Sequence, residues 1–473
     1  MSRRFAVVRA GYPHRMSRNL EGLSDKVPAT GGTEDLVKVA SVLDTVRIAG
    51  KAVLPTLAGG VIKRRPRVLA AAQKLRLDGP SIPLFQSLRH RYGPGPLRLR
   101  IPGRSIAVVL SGADVGRVLE GSPAPFTPAT TEKKAALSHF QPHGVLISEQ
   151  PERGERREYV ESVLETERPL HEIAAAAVTV VEEETAALLE NRGGELDWDA
   201  FNIAWWRIVR RVVLGDGARD DDEVTDLLAK LRRDANWAYL HPDKDETRRR
   251  FETRLRGHLD RAEPGSLAQV MATTSAGGEV DPVGQVPHWL FAFDAAGMVT
   301  LRTLALLATH PEQDTEARAE IDGLDLGAPQ ALPYLRASVL DTVRLWPTTP
   351  VLLRESTAET AWGEDTKLPA GTEFLVFTPF FHRDGESLPY ADRFSPESWL
   401  DGSAQRKPAL VPFSAGPGEC PGRNVVLLVV STMLANLVRA KRFRLVSPPP
   451  LSPGAPLPPT IDNFGLRFAV AEA

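Results

Sequence analysis

The chain holds one cysteine in 473 residues, Cys420. It lies in Pro412-Phe413-Ser414-Ala415-Gly416-Pro417-Gly418-Glu419-Cys420-Pro421-Gly422-Arg423-Asn424, a run of glycine and proline that reads as a turn. A buried cysteine ordinarily serves as a small hydrophobe inside an element. This one is displayed at the tip of a loop, directly before the apolar segment Val425 to Val438. That segment reads as a helix starting near Gly422, so its free N–H groups and dipole would face Cys420. Such a setting favours the thiolate, the form that ligates metals and attacks electrophiles. Gly416, Gly418 and Gly422 would let another group approach closely. A surface loop with an incidental cysteine is the competing reading.

Three further stretches carry chemistry-bearing residues. Arg153 and Arg157, spaced i, i+4, share one face of a charged helix opened by Pro151. Ala296-Gly297-Met298-Val299-Thr300 lies inside a segment apolar almost all round, Trp289 to Leu301. Such a helix belongs in a core, and a threonine hydroxyl inside it can bond a carbonyl one turn back and open it locally. Asp341 and Arg344, at i, i+3, can pair on one helical face. Each alone is weak, since a charged pair is usually surface decoration and Gly and Thr are common in core helices.

Taken in order, these stretches resemble the cytochrome P450 family. Phe413-x-x-Gly416-x-x-x-Cys420-x-Gly422 is similar to its haem-thiolate signature, and the resemblance implies that Cys420 is the proximal ligand to haem iron. Ala296 to Thr300 resembles the oxygen-binding motif of the family's central helix, with Gly297 letting a flat ligand lie against the backbone. Val299 stands where an acid is usual, a departure that removes the carboxyl through which the family would deliver protons at that position. Asp294 faces elsewhere on the helix and is no simple substitute. Asp341-x-x-Arg344 resembles the family's Glu-x-x-Arg element, with Arg393 in Tyr390-Ala391-Asp392-Arg393-Phe394 as the downstream partner of that ion network. The two haem propionates need cationic or donor partners when buried. The family resemblance assigns Arg153, Arg157 and Arg354 to them, with Arg153 standing where His or Trp is usual. Gly418 replaces the family's usual basic residue two before the cysteine, and Arg423, on the far side of the cysteine, is the other basic residue nearby.

The elements that must position these groups follow from punctuation and periodicity. Residues 1–33 read as an irregular N-terminal arm, and 34–473 as one haem-bearing domain. Helical spacing runs from Glu34 to Ile48, with Leu36, Val39, Ala40, Leu43 and Val46 as the apolar face. Arg67 to Arg91 is helical with a break at Asp78-Gly79-Pro80. Leu97 to Ile101 and Ser105 to Leu110 read as a hairpin, and Ser111 caps a short helix. Ser122 to Gly144 reads as irregular. Helices are expected over Leu164–Glu190, Trp198–Leu214, Val224–Ala238 and Asp245–Leu259, a loop over Gly265–Asp281, and the long core helix over His288–His310. Trp205-Trp206 reads as core packing. Arg354 falls on a strand, and two segments near Phe443 and Leu466 close the chain as a hairpin. The fold class is mainly α with small β-sheets, the cytochrome P450 fold.

Composition narrows the class. Lys and Arg total 58 and Asp and Glu 60, so nothing suggests a nucleic-acid binder. One cysteine excludes an intrachain disulfide framework and suits a reducing cytoplasm. Ala52 to Ile62 is apolar but too short to span a bilayer, which takes about 20 residues. Lys63-Arg64-Arg65 follows it, leaving shallow interfacial contact as a minor reading. The function implied by the resemblance is monooxygenation of an apolar small molecule by a protein carrying haem b. Electrons would come from a separate ferredoxin-type or similar donor, because no flavin or nucleotide domain is visible. Two other readings remain: a peroxide-driven haem enzyme or haem isomerase or dehydratase, and a non-catalytic haem sensor or carrier.

Overall fold

The computed structural model describes residues 38–190, 194–242, 244–278, 280–363 and 366–472. The arm expected over residues 1–33 and the start of the helix expected from Glu34 lie outside them. The architecture is mainly helical with three small sheets. Its centre is the helix Val286–Leu307, buried on nearly every side. Pro287 sits in its first turn, where a missing N–H costs nothing. This helix packs on Arg423–Ala440, on Pro333–Leu345 and on Trp198–Leu214. Val286–Leu307 and Arg423–Ala440 are long and apolar enough to cross a membrane, and both are mostly buried inside the protein.

The largest sheet runs, in spatial order, Leu97–Arg98, Ile106–Val108, Glu373–Phe377, Val351–Ser356 and Phe126–Thr127. The expected hairpin pairs Leu97 with Val108. The expected closing hairpin is Lys441–Leu445 against Arg467–Glu472, with Glu195–Asp197 as a third strand on its other edge. Two apolar clusters divide the interior. One surrounds the central helix, and the other lies between the five-stranded sheet and the helices Ser81–Tyr92 and Gly112–Glu120.

Several elements differ from their sequence expectation, each for a local reason. The Ser122–Gly144 stretch contains the helix Thr131–Leu137, started by Thr130, whose hydroxyl accepts from the Lys133 N–H. Within Gly265–Asp281, Ser266 starts the helix Leu267–Thr273 in the same way. The helix expected from Leu164 begins only at Ala174, after Pro169, which biases the residue before it away from helix. Of the described residues of the expected N-terminal apolar face, Ala40 is buried and Val39, Leu43 and Val46 are exposed. Val42–Ile48 continues through a π-helical turn, Ala49–Val53, into Leu54–Gly59. It buries Asp44, Thr45, Ile48 and Ala52 while Val39, Leu43 and Val46 face outward. Asp44 is held inside by the Arg91 guanidinium at 2.8 Å and by hydrogen bonds from Tyr92 and Ser41.

Candidate functional site

Cys420 sits half-buried at the end of a tightly tied loop. Its N–H donates to the Phe413 carbonyl at 2.9 Å, and its carbonyl accepts from the Arg423 N–H. Gly422 is the cap of the helix Arg423–Ala440, as expected. Behind the loop, Thr166 donates to the Pro421 carbonyl, and Asn424 donates to the Thr166 carbonyl. Gly416 has φ +62°, and a Cβ there would stand 2.6 Å from the Leu119 carbonyl oxygen, so that position admits only glycine. Phe413 packs partly buried against the main apolar cluster.

The cysteine's electrostatics correct one expectation. Burial pushes the thiol pKa up, although the Gly422 N–H and then Arg157 pull the other way. The helix end alone therefore does not yield a thiolate. A bare thiolate here is penalised by desolvation, and a bound metal cation is what would hold it deprotonated. Among the described residues no group of three or more His, Cys, Asp or Glu could hold a metal ion. Iron at Cys420 would have to bring the rest of its ligand set with it.

Cations gather beside this loop. Arg354, on the strand Val351–Ser356, donates from Nε to the Ser122 hydroxyl at 2.9 Å and from Nη2 to the Ser414 hydroxyl at 3.3 Å. Arg153, on the helix Glu152–Val163, donates to the Val145 carbonyl at 2.6 Å. Lys133 donates to the carbonyls of Pro128 and Leu353. Arg153 and Arg354 are buried. Burial and mutual repulsion lower all three pKa values: Arg153 to about 10, with Arg157 its next cause, Arg354 to about 10, with Arg153 its next cause, and Lys133 well below a normal lysine. Arg157 pairs with Glu161 at 2.6 Å. Among the described residues, no carboxylate lies within ion-pair distance of Lys133, Arg153 or Arg354. The acids nearest Lys133 are otherwise engaged: Arg104 bridges Glu132 and Glu373. Burial and the bond to Glu132 raise the Glu373 pKa to about 8.

Two buried arginines and a half-buried lysine that lower one another's pKa, with no carboxylate within ion-pair distance, make an unfavourable arrangement for an empty protein. It fits a group that brings two carboxylates of its own, as haem does. Lys133 was not anticipated from the sequence. Its one signal was Thr130, a helix-starting residue three positions before it in a stretch read as irregular. Arg423 is not part of the cradle, since it pairs with Glu419 at 2.8 Å on the surface.

The central helix presents one open face. His288, Phe291, Ala292 and Ala295 are partly exposed on a helix otherwise buried, and Ala296, Val299 and Thr300 continue that face at helical spacing. Thr300 is fully buried and its hydroxyl donates to the Ala296 carbonyl at 2.9 Å, one turn back, as expected. The helix nevertheless stays α-helical from Val286 to Leu307, so no groove opens at Thr300. Gly297 has a different role from the one expected. A Cβ on it would lie 2.7 Å from Nε1 of Trp205, and that nitrogen donates to the Phe293 carbonyl at 2.8 Å. The close approach at Gly297 is by an indole, not by a flat cofactor. Asp294 faces away, as reasoned, and is paired with Arg232 at 2.8 Å and Lys63 at 3.2 Å.

Asp341 and Arg344 are fully buried and joined at 2.5 Å. Arg344 also donates to the carbonyls of His382, Ala391 and Arg393. Asp341 accepts from the Ser395 N–H and the Trp399 indole. The Arg393 side chain, expected in this network, is exposed, and only its backbone takes part. The network reaches the cysteine loop through His382, whose Nε2 accepts from the Val411 N–H at 3.0 Å.

Comparison with known proteins agrees with this arrangement. Residues 293–461 match the family model for cytochrome P450. A probable cytochrome P450 4s3 of Drosophila melanogaster is 30% identical over 183 residues, which is 37% of each chain. A cyclooctat-9-en-7-ol 5-monooxygenase of Streptomyces melanosporofaciens is 35% identical over 175 residues, 34% of this chain and 38% of that one. The chain thus spans little more than a third of these relatives' length. In fold, it aligns with a solved cytochrome P450, CYP102L1, at a TM-score of 0.67 and 17% identity, over 83% of this chain and 94% of that one.

Proposed function

We propose that this chain, whose residues 293–461 match the cytochrome P450 family model, is a haem-thiolate monooxygenase inserting one oxygen atom of O2 into an apolar small organic substrate. The haem is haem b, which would supply the activation of oxygen once electrons reach it. Those electrons come from a separate ferredoxin-type or similar donor. The observation that carries this reading is the pairing of a lone loop cysteine with two buried arginines and a half-buried lysine that, among the described residues, have no carboxylate within ion-pair distance.

The chain's own residues divide the work. Cys420 would hold the iron. Lys133, Arg153 and Arg354 would hold the propionates, with Arg157 at the edge of the same group, and Ser122 and Ser414 orient Arg354. Phe291, Ala292 and Ala295 give the open helix face an apolar lining, which suits an apolar substrate and excludes water. Thr300 keeps a hydroxyl one turn from Ala296 on that face and can hold a proton-carrying water if one has two or more polar partners. The single cysteine suits the cytoplasm, the compartment we propose.

Two experiments test the reading. The reduced, carbon-monoxide-bound spectrum of the wild type should show a thiolate-type band that Cys420→Ala abolishes. A band surviving in the variant ends the assignment, since no other cysteine exists. Turnover with NAD(P)H and a ferredoxin system, against turnover with peroxide alone, then separates the monooxygenase from the second reading. That reading is a peroxide-driven enzyme, and the apolar, buried Val299 in place of an acid favours it.

A further inference from the structure

Two carboxyl groups stand beside Lys133 without being its partners. Glu132 is the second residue of the helix Thr131–Leu137, and Glu373 opens the strand Glu373–Phe377. Both reach one nitrogen: Nη2 of Arg104 bonds Oε1 of Glu132 and, at 2.9 Å, Oε2 of Glu373. Two oxygens on one guanidinium nitrogen bring the carboxyl groups against each other. The sheet adds a third acid. Glu355 lies directly across from Glu373 where Val351–Ser356 pairs with Glu373–Phe377, so the two side chains share a sheet face, and like charges placed so are destabilising.

One guanidinium serves these acids, and its side chain is 47% exposed, so water screens it. The other titratable groups at the cluster are the Tyr239 hydroxyl, from the turn after the helix Asp222–Ala235, and the Lys133 amine. Lys133 donates away from the pair, to the carbonyls of Pro128 and Leu353, and Lys134 pairs with Glu149. Glu373 is 6% exposed. Among the described residues, no N–H or hydroxyl reaches the buried Oε2 of Glu132. A carboxyl proton held between Glu132 and Glu373 is the donor that oxygen lacks, and it removes one of the repelling charges. Burial and then Glu132 push the Glu373 pKa up to about 8. Burial acts in the same direction on Glu132, but Glu373 and Arg104 outweigh it and hold that carboxyl low.

We propose that Glu132 and Glu373 are positioning residues that share one proton near neutral pH, and that this proton holds the helix Thr131–Leu137 on the sheet and Lys133 beside Arg354. Glu132 and Lys133 are consecutive, so anchoring one fixes the backbone of the other. The carbonyl that Lys133 bonds belongs to Leu353, the neighbour of Arg354. The part Lys133 plays toward haem rests on the function proposed above, whereas the shared proton does not. Glu373 binds its proton more tightly in the fold than in the unfolded chain. The attachment is therefore strongest below the ordinary glutamate value, weakens as pH rises, and is weakest above about 8. Lys133, a cation whose pKa is lowered, gives the opposite slope.

The test is amide hydrogen exchange of residues 131–137 in the full chain from about pH 5 to about pH 9, corrected for intrinsic exchange, with the rate of haem transfer to apomyoglobin measured alongside. Protection should fall by up to about tenfold per pH unit and level off above about pH 8, and haem transfer should quicken over the same range. Glu373→Gln keeps a donor that cannot titrate, so both readouts should lose that dependence. Glu132→Gln leaves Glu373 alone with Arg104. It should move the fall to lower pH, and it decides the matter if Glu373→Gln folds poorly. Protection that is flat with pH in the wild type, or a dependence that neither variant changes, overturns the proposal. So does a dependence of opposite sign, which assigns the titration to Lys133. A chain that takes up no haem would sink the function proposed above, and the exchange measurement would still decide this proposal.

Discussion

The guanidinium of Arg354 occupies the space that a side chain at Gly418 would need. A Cβ on Gly418 would stand 2.7 Å from its Nη2. The cation usual at this loop position is thus replaced by one that arrives from the sheet and is hydrogen-bonded to the loop through Ser414. The two arrangements exclude each other. Gly418→Arg, which restores the family's usual charge, should therefore lower stability by about 1–3 kcal/mol, the ordinary cost of overpacking, and weaken haem retention. Combined with Arg354→Ala it should recover part of that loss. A double-mutant cycle on melting and haem loading measures the coupling, and additive effects would show that the two positions do not compete.

A second prediction separates the two arginines assigned to the ion network. Arg344 is buried against Asp341, so Arg344→Ala strands a carboxylate and should cost roughly 3–5 kcal/mol. Arg393 contributes only its backbone carbonyl, so Arg393→Ala should change stability by about 0.5 kcal/mol or less. Denaturant unfolding of both variants checks this. A large loss at Arg393 would return its side chain to the network.

What the sequence revealed here was order, and what it hid was facing. Cys420, Thr300, Asp341 and Arg344 could be found because each sits in a short local pattern. Arg354 also falls on the expected strand. Lys133 was hidden because its partners come from Pro128 and Leu353, the second far along the chain. Gly297 was misread because the indole that needs its bare Cα belongs to another helix. Leu43 and Val46 belong to the apolar face that periodicity gives, yet Asp44 takes the inner face because Arg91 and Tyr92 satisfy it there. In each case a contact distant in sequence overrode a local rule.

Lys133 carries a prediction with opposite signs in the two forms of the protein. Burial and the neighbouring Arg354 and Arg153 lower its pKa in the fold. Between that lowered value and the ordinary lysine value, the unfolded chain binds more protons than the folded one. Apo-protein stability should therefore rise with pH across that window. Haem would add carboxylates beside Lys133, restore its charge and flatten the dependence. Lys133→Met should then stabilise the apo-protein and remove its alkaline rise, while weakening haem binding by roughly 3–5 kcal/mol if the ion pair forms buried. Melting curves of both forms against pH, with haem titrations, provide the readout. A destabilised apo-variant would make Lys133 a packing residue.

The last prediction concerns the central helix, where Val299 replaces the usual acid and Thr300 is sealed by its bond to Ala296. Both side chains are buried, and the helix stays α-helical through them. A carboxylate placed there would lack water and partners, so Val299→Glu should destabilise the protein rather than improve proton delivery; burying an uncompensated polar group already costs about 1–3 kcal/mol. Thr300 then supplies a hydroxyl at that point of the helix face. Thr300→Ala should divert electrons to peroxide, lowering product formed per NAD(P)H consumed, while peroxide-supported turnover stays near wild type. Measuring that ratio in both variants, with electrons or peroxide supplied, decides the matter. If Thr300→Ala leaves the ratio unchanged with electron donors, its hydroxyl only packs the helix, and proton delivery must come from elsewhere. If Val299→Glu folds normally and raises the ratio, water does reach this part of the helix and the missing acid is what limits coupling in this chain.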